Sequence, residues 1–239
     1  MSPNFVLDGW NRLKLAGLLG LISFVLLGCA KFPANISPDA TRVVFRMSVR
    51  GQIRSDYVYV FPIRTSIDPN PQGDGPIPTL QFPTPNGFVN GNVQYFVLWT
   101  PDTQQYTLYK FTDSTLTFYN AIGVPINTLD VTAGSKTLGF ELSLEQLVET
   151  PGTSSQLQVL QVNFLTMSAK LNQSNGSNRR LDCLGNTNLL TDFNEPVKIP
   201  LATTGLYDNQ RFNFLEPIEP DCPDPDLDIT DWSVEVRRQ

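Results

Sequence analysis

Between residues 42 and 50 apolar and polar side chains alternate: Val43, Phe45, Met47 and Val49 fall on one face, with Arg42, Arg46, Ser48 and Arg50 on the other. A period of two predicts a strand with one buried and one solvated face. Residues 56–64 carry Tyr57, Tyr59 and Phe61 on one side and Val58 and Val60 on the other. Two apolar faces predict a central strand. Further strands are predicted at 93–100, at 105–111 after a Pro101-Asp102 turn, at 115–119, and at 136–142 with Leu138, Phe140 and Leu142 on one face. Ser143-Leu144-Glu145-Gln146 has the spacing of a capping box and predicts one short helix ending near Val148. A strand over 157–167, a single helical turn over 187–193 and a weaker strand over 197–201 follow. The chain closes on a strand in which Trp232, Val234 and Val236 alternate with Ser233, Glu235 and Arg237.

At least eight short strands, frequent turn signals and no long amphipathic helix predict an all-β fold, an antiparallel β-sandwich of jelly-roll or Ig-like kind. No internal repeat or linker divides 42–239, so a single domain is expected there. Residues 66–92 interrupt the pattern with proline, glycine, asparagine and aspartate, and the prolines and glycines of 69–78 rule out regular ladder pairing as an expectation from sequence. A loop of this length is either functional or an ordered cover for a sheet edge.

The N-terminus follows a different rule. Arg12 and Lys14 precede an apolar run from Leu15 that ends in Leu26-Leu27-Gly28-Cys29. A basic stretch, an apolar stretch and small residues at its end form a signal peptide, and the run falls short of the ~20 residues a membrane span requires. Leu26, Gly28 and Cys29 resemble the lipobox of bacterial lipoproteins, with Leu27 bulkier than the usual occupant. The resemblance implies cleavage after residue 28 and acylation of Cys29, a palmitate-type lipid anchor holding the protein to a membrane. The competing reading is an uncleaved N-terminal anchor. Ala30 rather than Asp follows the cysteine, which under enterobacterial sorting implies the outer membrane over the inner. Residues 29–41 then form a tether that reaches about 40 Å at most, at ~3.3–3.6 Å per residue.

Over residues 57–147 the chain also resembles the β-sandwich modules of the glucodextranase C-terminal and DOMON-like kind. The resemblance lies in Asp68-Pro69 with Gly73-Asp74-Gly75-Pro76 after a strand, and in Leu138-Gly139-Phe140-Glu141-Leu142 leading to Leu147. It implies a sandwich and carries no catalytic or ligand residue.

Charge and composition narrow the function. The net charge is −6, and without residues 1–28, which hold Asp8, Arg12 and Lys14, it is −7. An acidic chain of pI about 4.6 has no electrostatic footprint for nucleic acid. There is no histidine, which removes Ser-His-Asp and Cys-His nucleophile systems and His-containing zinc sites. No cofactor motif is present. Carboxylate chemistry is what remains, with Asp68, Asp74, Glu141 and Glu145 as candidates that nothing in the sequence pairs. Asp221, Asp224, Asp226, Asp228 and Asp231 form an acidic run. Within it, Asp224, Asp226 and Asp228 have the spacing that opens a calcium loop, but Ile229 stands where that loop needs glycine and no glutamate closes it. A solvated acidic turn is the expectation.

With Cys29 lipidated, Cys183 and Cys222 are expected to form a disulfide in an oxidising compartment, worth roughly 4 kcal/mol for a loop of about 40 residues. The alternative is two thiols. Trp99 and Tyr95 are weighed as a sugar-binding platform against a place in the core, the core being favoured because aromatics are enriched in strands for packing. The sequence therefore predicts a non-enzymatic, lipid-anchored envelope protein that binds an envelope protein or a glycan or is structural. The alternative is a carbohydrate-active surface module.

Overall fold

In the computed structural model, residues 41–100, 103–172, 174, 179–188, 196–213 and 215–238 are described. The signal peptide, Cys29 and its tether, and most of the helical turn expected over 187–193, lie outside the described residues.

The strands are β1 (Arg42–Val49), β2 (Val58–Ser66), β3 (Pro76–Pro78), β4 (Val89–Gly91), β5 (Tyr95–Thr100), β6 (Gln105–Phe111), β7 (Tyr119–Gly123), β8 (Asn127–Thr128), β9 (Thr137–Ser143), β10 (Val159–Val162), β11 (Leu165–Met167), β12 (Leu181–Cys183), β13 (Val197–Pro200), β14 (Gly205–Asp208) and β15 (Ile229–Arg237). Among the described residues they form one sheet in the order β14-β15-β1-β9-β8 and a larger one in the order β12-β11-β2-β5-β6-β7, with β10 pairing both β2 and β13. All the described pairings are antiparallel. The two sheets pack as a β-sandwich, and the described strands fall within one compact unit, Ser37–Gln239.

The alternation explains the packing. Val43, Phe45 and Met47 of β1, Leu138, Phe140 and Leu142 of β9, and Trp232, Val234 and Val236 of β15 face Tyr59, Phe61 and Ile63 of β2 across the sandwich. Phe140 stacks on Phe45 and meets Phe61 edge-on, both at 4.9 Å between centroids. Each large apolar side chain buried here contributes about 1.5–3 kcal/mol. The second apolar face of β2, with Val60, packs with Phe96, Leu165, Met167 and Cys183 under Phe88 and Val89 of the 66–92 loop. That loop is therefore a lid over the outer face of the larger sheet, not a cover for its edge.

The loop is pinned by polar side chains. Asn86 accepts from the Phe88 and Val89 amides and donates to the Val89 and Leu116 carbonyls. Arg179 donates to the Thr79 and Gly87 carbonyls. Within the loop β3 and β4 do pair, Pro76 to Gly91 and Pro78 to Val89, contrary to the sequence expectation. The ladder survives because it is only three residues long and needs no rung donated by a proline.

Two other elements differ. Residues 115–118 are not extended: the Asp113 carboxylate accepts from the amides of Thr117 and Phe118 and closes a turn, so the strand begins at Tyr119. The expected strand over 157–167 is broken between β10 and β11. Opposite the break stands Pro62, which accepts from the Asn163 amide at 3.2 Å but has no N–H to return. The capping box forms as expected, with Ser143 and Gln146 closing a single 3₁₀ turn over Leu144–Leu147.

Candidate functional site

The acidic run near the C-terminus folds against the turn after β1 and against β12. Pro217, Pro220, Pro223 and Pro225 keep residues 216–228 out of any ladder, and their carboxylates take up the backbone donors instead. The Arg50 amide donates to the Asp228 carbonyl at 2.8 Å, the Gln52 amide to Asp226 Oδ1 at 2.8 Å, and the Tyr59 hydroxyl to the Asp226 carbonyl at 3.2 Å. Gly51 is required by close approach: a Cβ there would lie 2.0 Å from Asp226 Oδ1 and 2.8 Å from the Pro225 carbonyl carbon.

The run is not a solvated turn. Asp221 and Asp228 are 5% and 1% exposed, and two further acids, Asp182 of β12 and Glu216 just before the run, are fully buried. Asp182 Oδ2 accepts from the Ile229 amide at 2.7 Å, and Oδ1 accepts from the Cys183 amide at 2.9 Å. This one side chain thus ties β12 of the larger sheet to the first residue of β15 in the other. Asp221 Oδ2 accepts from the Thr187 amide at 2.6 Å, and the Thr187 hydroxyl reaches both Asp182 and Asp221. Asp228 Oδ1 accepts from the Asp221 and Cys222 amides at 3.3 and 3.2 Å, and Oδ2 pairs with Arg50. Glu216 Oε1 accepts from the Gly185 amide at 3.1 Å. Carboxylate oxygens of Asp182, Asp221 and Asp228 all lie within 4.8 Å of one another.

The crowding shows in their titration. Burial, and then the charge of Asp221, push Asp182 up to about 8. Burial, followed by the charges of Asp182 and Asp221, raises Glu216 well above the ordinary carboxylate range. Burial also raises Asp221. Such a group either shares protons or gathers a cation.

The residues singled out from the sequence are placed differently. Asp224, Asp226 and Asp228 do not converge: Asp224 pairs with Tyr57 and Arg180, Asp226 with Gln52 and Arg54, and Asp228 with Arg50. Cys183 and Cys222 are separate buried thiols, and no disulfide joins them among the described residues. Cys183 packs in the apolar cluster under the lid, while the Cys222 sulfur lies against the Leu181 carbonyl and its thiol is pushed up to about 12 by burial. The expected bridge rested on compartment alone, which carries no geometry.

Trp99 and Tyr95 line the core between the sheets, 4% and 3% exposed, and Trp99 Nε1 is buried with no acceptor among the described residues. A sugar platform needs an open ring face, and these buried rings offer none. Asp68 holds the Asn70 amide, Glu145 the Gly152 amide, and Glu141 pairs with Arg42 and Asn127. Among the described residues, no hydrogen bond or ion pair links Asp68, Asp74, Glu141 or Glu145 to another of the four.

Compared with protein-family models, curated proteins and solved structures, the chain matches none.

Proposed function

We propose that the chain is a lipid-anchored protein of the bacterial cell envelope, outer membrane more than inner, whose β-sandwich has a non-catalytic binding or structural role. Anchoring rests on the Leu26-Leu27-Gly28-Cys29 motif behind Arg12 and Lys14. The observation that carries a non-catalytic role is the burial of the acids that come together: with Asp182 and Glu216 fully buried, a substrate has no access to them. The exposed surface is apolar instead where the larger sheet ends. Phe118, Ile122 and Val124 are exposed in or beside the edge strand β7, and Leu129 is exposed beside β8, the edge of the other sheet; edges with large apolar side chains and open backbone groups favour association.

The test is the intact mass of the protein taken from its native membrane. The expected species starts at Cys29 and carries a diacylglyceryl group. A chain starting at Met1 with an unmodified Cys29 would refute lipid anchoring.

A further inference from the structure

We propose that Asp182, Asp221 and Asp228 bind one calcium ion, with the charge of the neighbouring Glu216 in support, and that the ion fastens residues 216–229 to the end of the sandwich. Sequence spacing does not suggest this group; the fold brings Asp182 of β12 against residues 216–228, which carry Glu216, Asp221 and Asp228.

Three observations carry the inference. The first is distance. Calcium takes oxygen ligands at about 2.3–2.6 Å, so two oxygens on one ion stand at most about 5 Å apart; for magnesium, at about 2.0–2.1 Å, the limit is near 4.2 Å. Carboxylate oxygens of Asp182, Asp221 and Asp228 fall within 4.8 Å of one another, which suits calcium without rearrangement.

The second is unmet acceptor capacity. Asp221 Oδ1 and Glu216 Oε2 are buried and accept no hydrogen bond among the described residues. A buried carboxylate oxygen with no donor is costly. Glu216 stands beside the three acids and outside their 4.8 Å span: its other oxygen is held by Gly185, two residues before the Thr187 that holds Asp182 and Asp221.

The third is charge. Among the described residues, Arg50 is the sole basic side chain paired with any of the four. Four ionised carboxylates and one guanidinium leave a formal charge of −3, which a divalent cation brings to −1. The donor set is all oxygen, as a hard cation requires, with no imidazole to draw zinc or copper. Asp221 Oδ1 accepts no hydrogen bond, and Asp182 Oδ2 and Asp228 Oδ2 accept one each among the described residues, so every one of the three acids keeps an oxygen with a lone pair to give.

The experiment uses the full chain in detergent, freed of divalent ions with a chelator and then titrated with calcium chloride. Elemental analysis after equilibrium dialysis is expected to give one calcium per chain. Thermal unfolding is expected to move upward with calcium, the folded-to-unfolded ratio rising about 100-fold at a concentration 100 times the Kd. Glu216→Gln and Asp221→Asn keep side-chain shape, and both are expected to fold without calcium and to bind it more weakly, Asp221→Asn by at least about tenfold and Glu216→Gln, which removes charge alone, by less. A chain that binds no calcium at millimolar concentration, with an unmoved unfolding midpoint, would overturn the proposal and leave shared protons as the occupants. Equal calcium response in the wild type and in both variants would overturn it too, because the ion would then sit elsewhere. Should one variant fail to fold, the stoichiometry on the wild type and the other variant still decide. None of these outcomes depends on whether Cys29 is lipidated.

Discussion

Tyr106 stands in for a missing rung. Its hydroxyl, on β6 of the larger sheet, accepts from the buried Gly139 amide of β9 at 3.1 Å and donates toward the Leu129 carbonyl at 3.4 Å. The Leu129 amide donates to the Gly139 carbonyl at 2.7 Å, so the hydroxyl occupies the return bond of that pair, from across the sandwich. Tyr106→Phe keeps the ring, its packing on Phe140 and nearly all its volume, and removes only this bridge. Leu129 is 47% exposed, so water can serve its carbonyl. Gly139 is buried, and an orphaned buried amide costs about 1–3 kcal/mol.

For a domain of this size 1 kcal/mol moves Tm by roughly 2–4 °C. The urea midpoint should fall by the corresponding amount with the slope unchanged, and the Gly139 amide should exchange with solvent faster. Tyr95→Phe is the control: Tyr95 is equally buried and its hydroxyl makes no hydrogen bond among the described residues, so it should lose far less. Equal losses in the two variants, or unaltered exchange at Gly139, would refute the bridging account.

Other expectations test the site and the lid. Gly51→Ala should cost about 1–3 kcal/mol by overpacking, because the new Cβ meets Asp226 and the Pro225 backbone; limited proteolysis should then cut sooner within 218–226. A reductant should leave the urea midpoint where it was, and the unfolded chain should alkylate at Cys183 and Cys222 without prior reduction. A fall of roughly 4 kcal/mol with reductant would instead indicate a bridge. Asn163→Leu should be more damaging than Tyr106→Phe, at about 1–3 kcal/mol for each group it strands: Asn163 donates to the Pro76 carbonyl at 3.0 Å and accepts from the Leu184 amide at 3.2 Å. Equilibrium unfolding of that variant measures it directly.

What the sequence reveals depends on whether the cause is local. Alternation in β1 and β15, the two apolar faces of β2 and the capping box at Ser143 are fixed by neighbours in the chain, and each could be read from the residues alone. The break at Asn163 depends on Pro62 across the ladder, a hundred residues away in sequence, and the residues alone read as one unbroken strand. The acidic run misleads for the same reason. A stretch such as Asp-Pro-Asp-Leu-Asp is polar by composition, yet its carboxylates are taken up by donors from Arg50, Gln52 and Tyr57. One signal was available. Asp182 stands between Leu181 and Cys183 followed by Leu184, and an acid inside an apolar run of that kind is either a mistake of burial or a group with a partner.

The pairing of β1 with β15, Arg42 opposite Arg237 and Val43 opposite Val236, has a consequence for how the molecule comes into being. The first described strand sits inside its sheet, between β9 and β15, the last described one. A nascent chain therefore carries β1 with one edge open, apolar on one face, until residues 229–237 have been made. A chain that stops short of Ile229 is thus an aggregation hazard and not a slightly weakened protein.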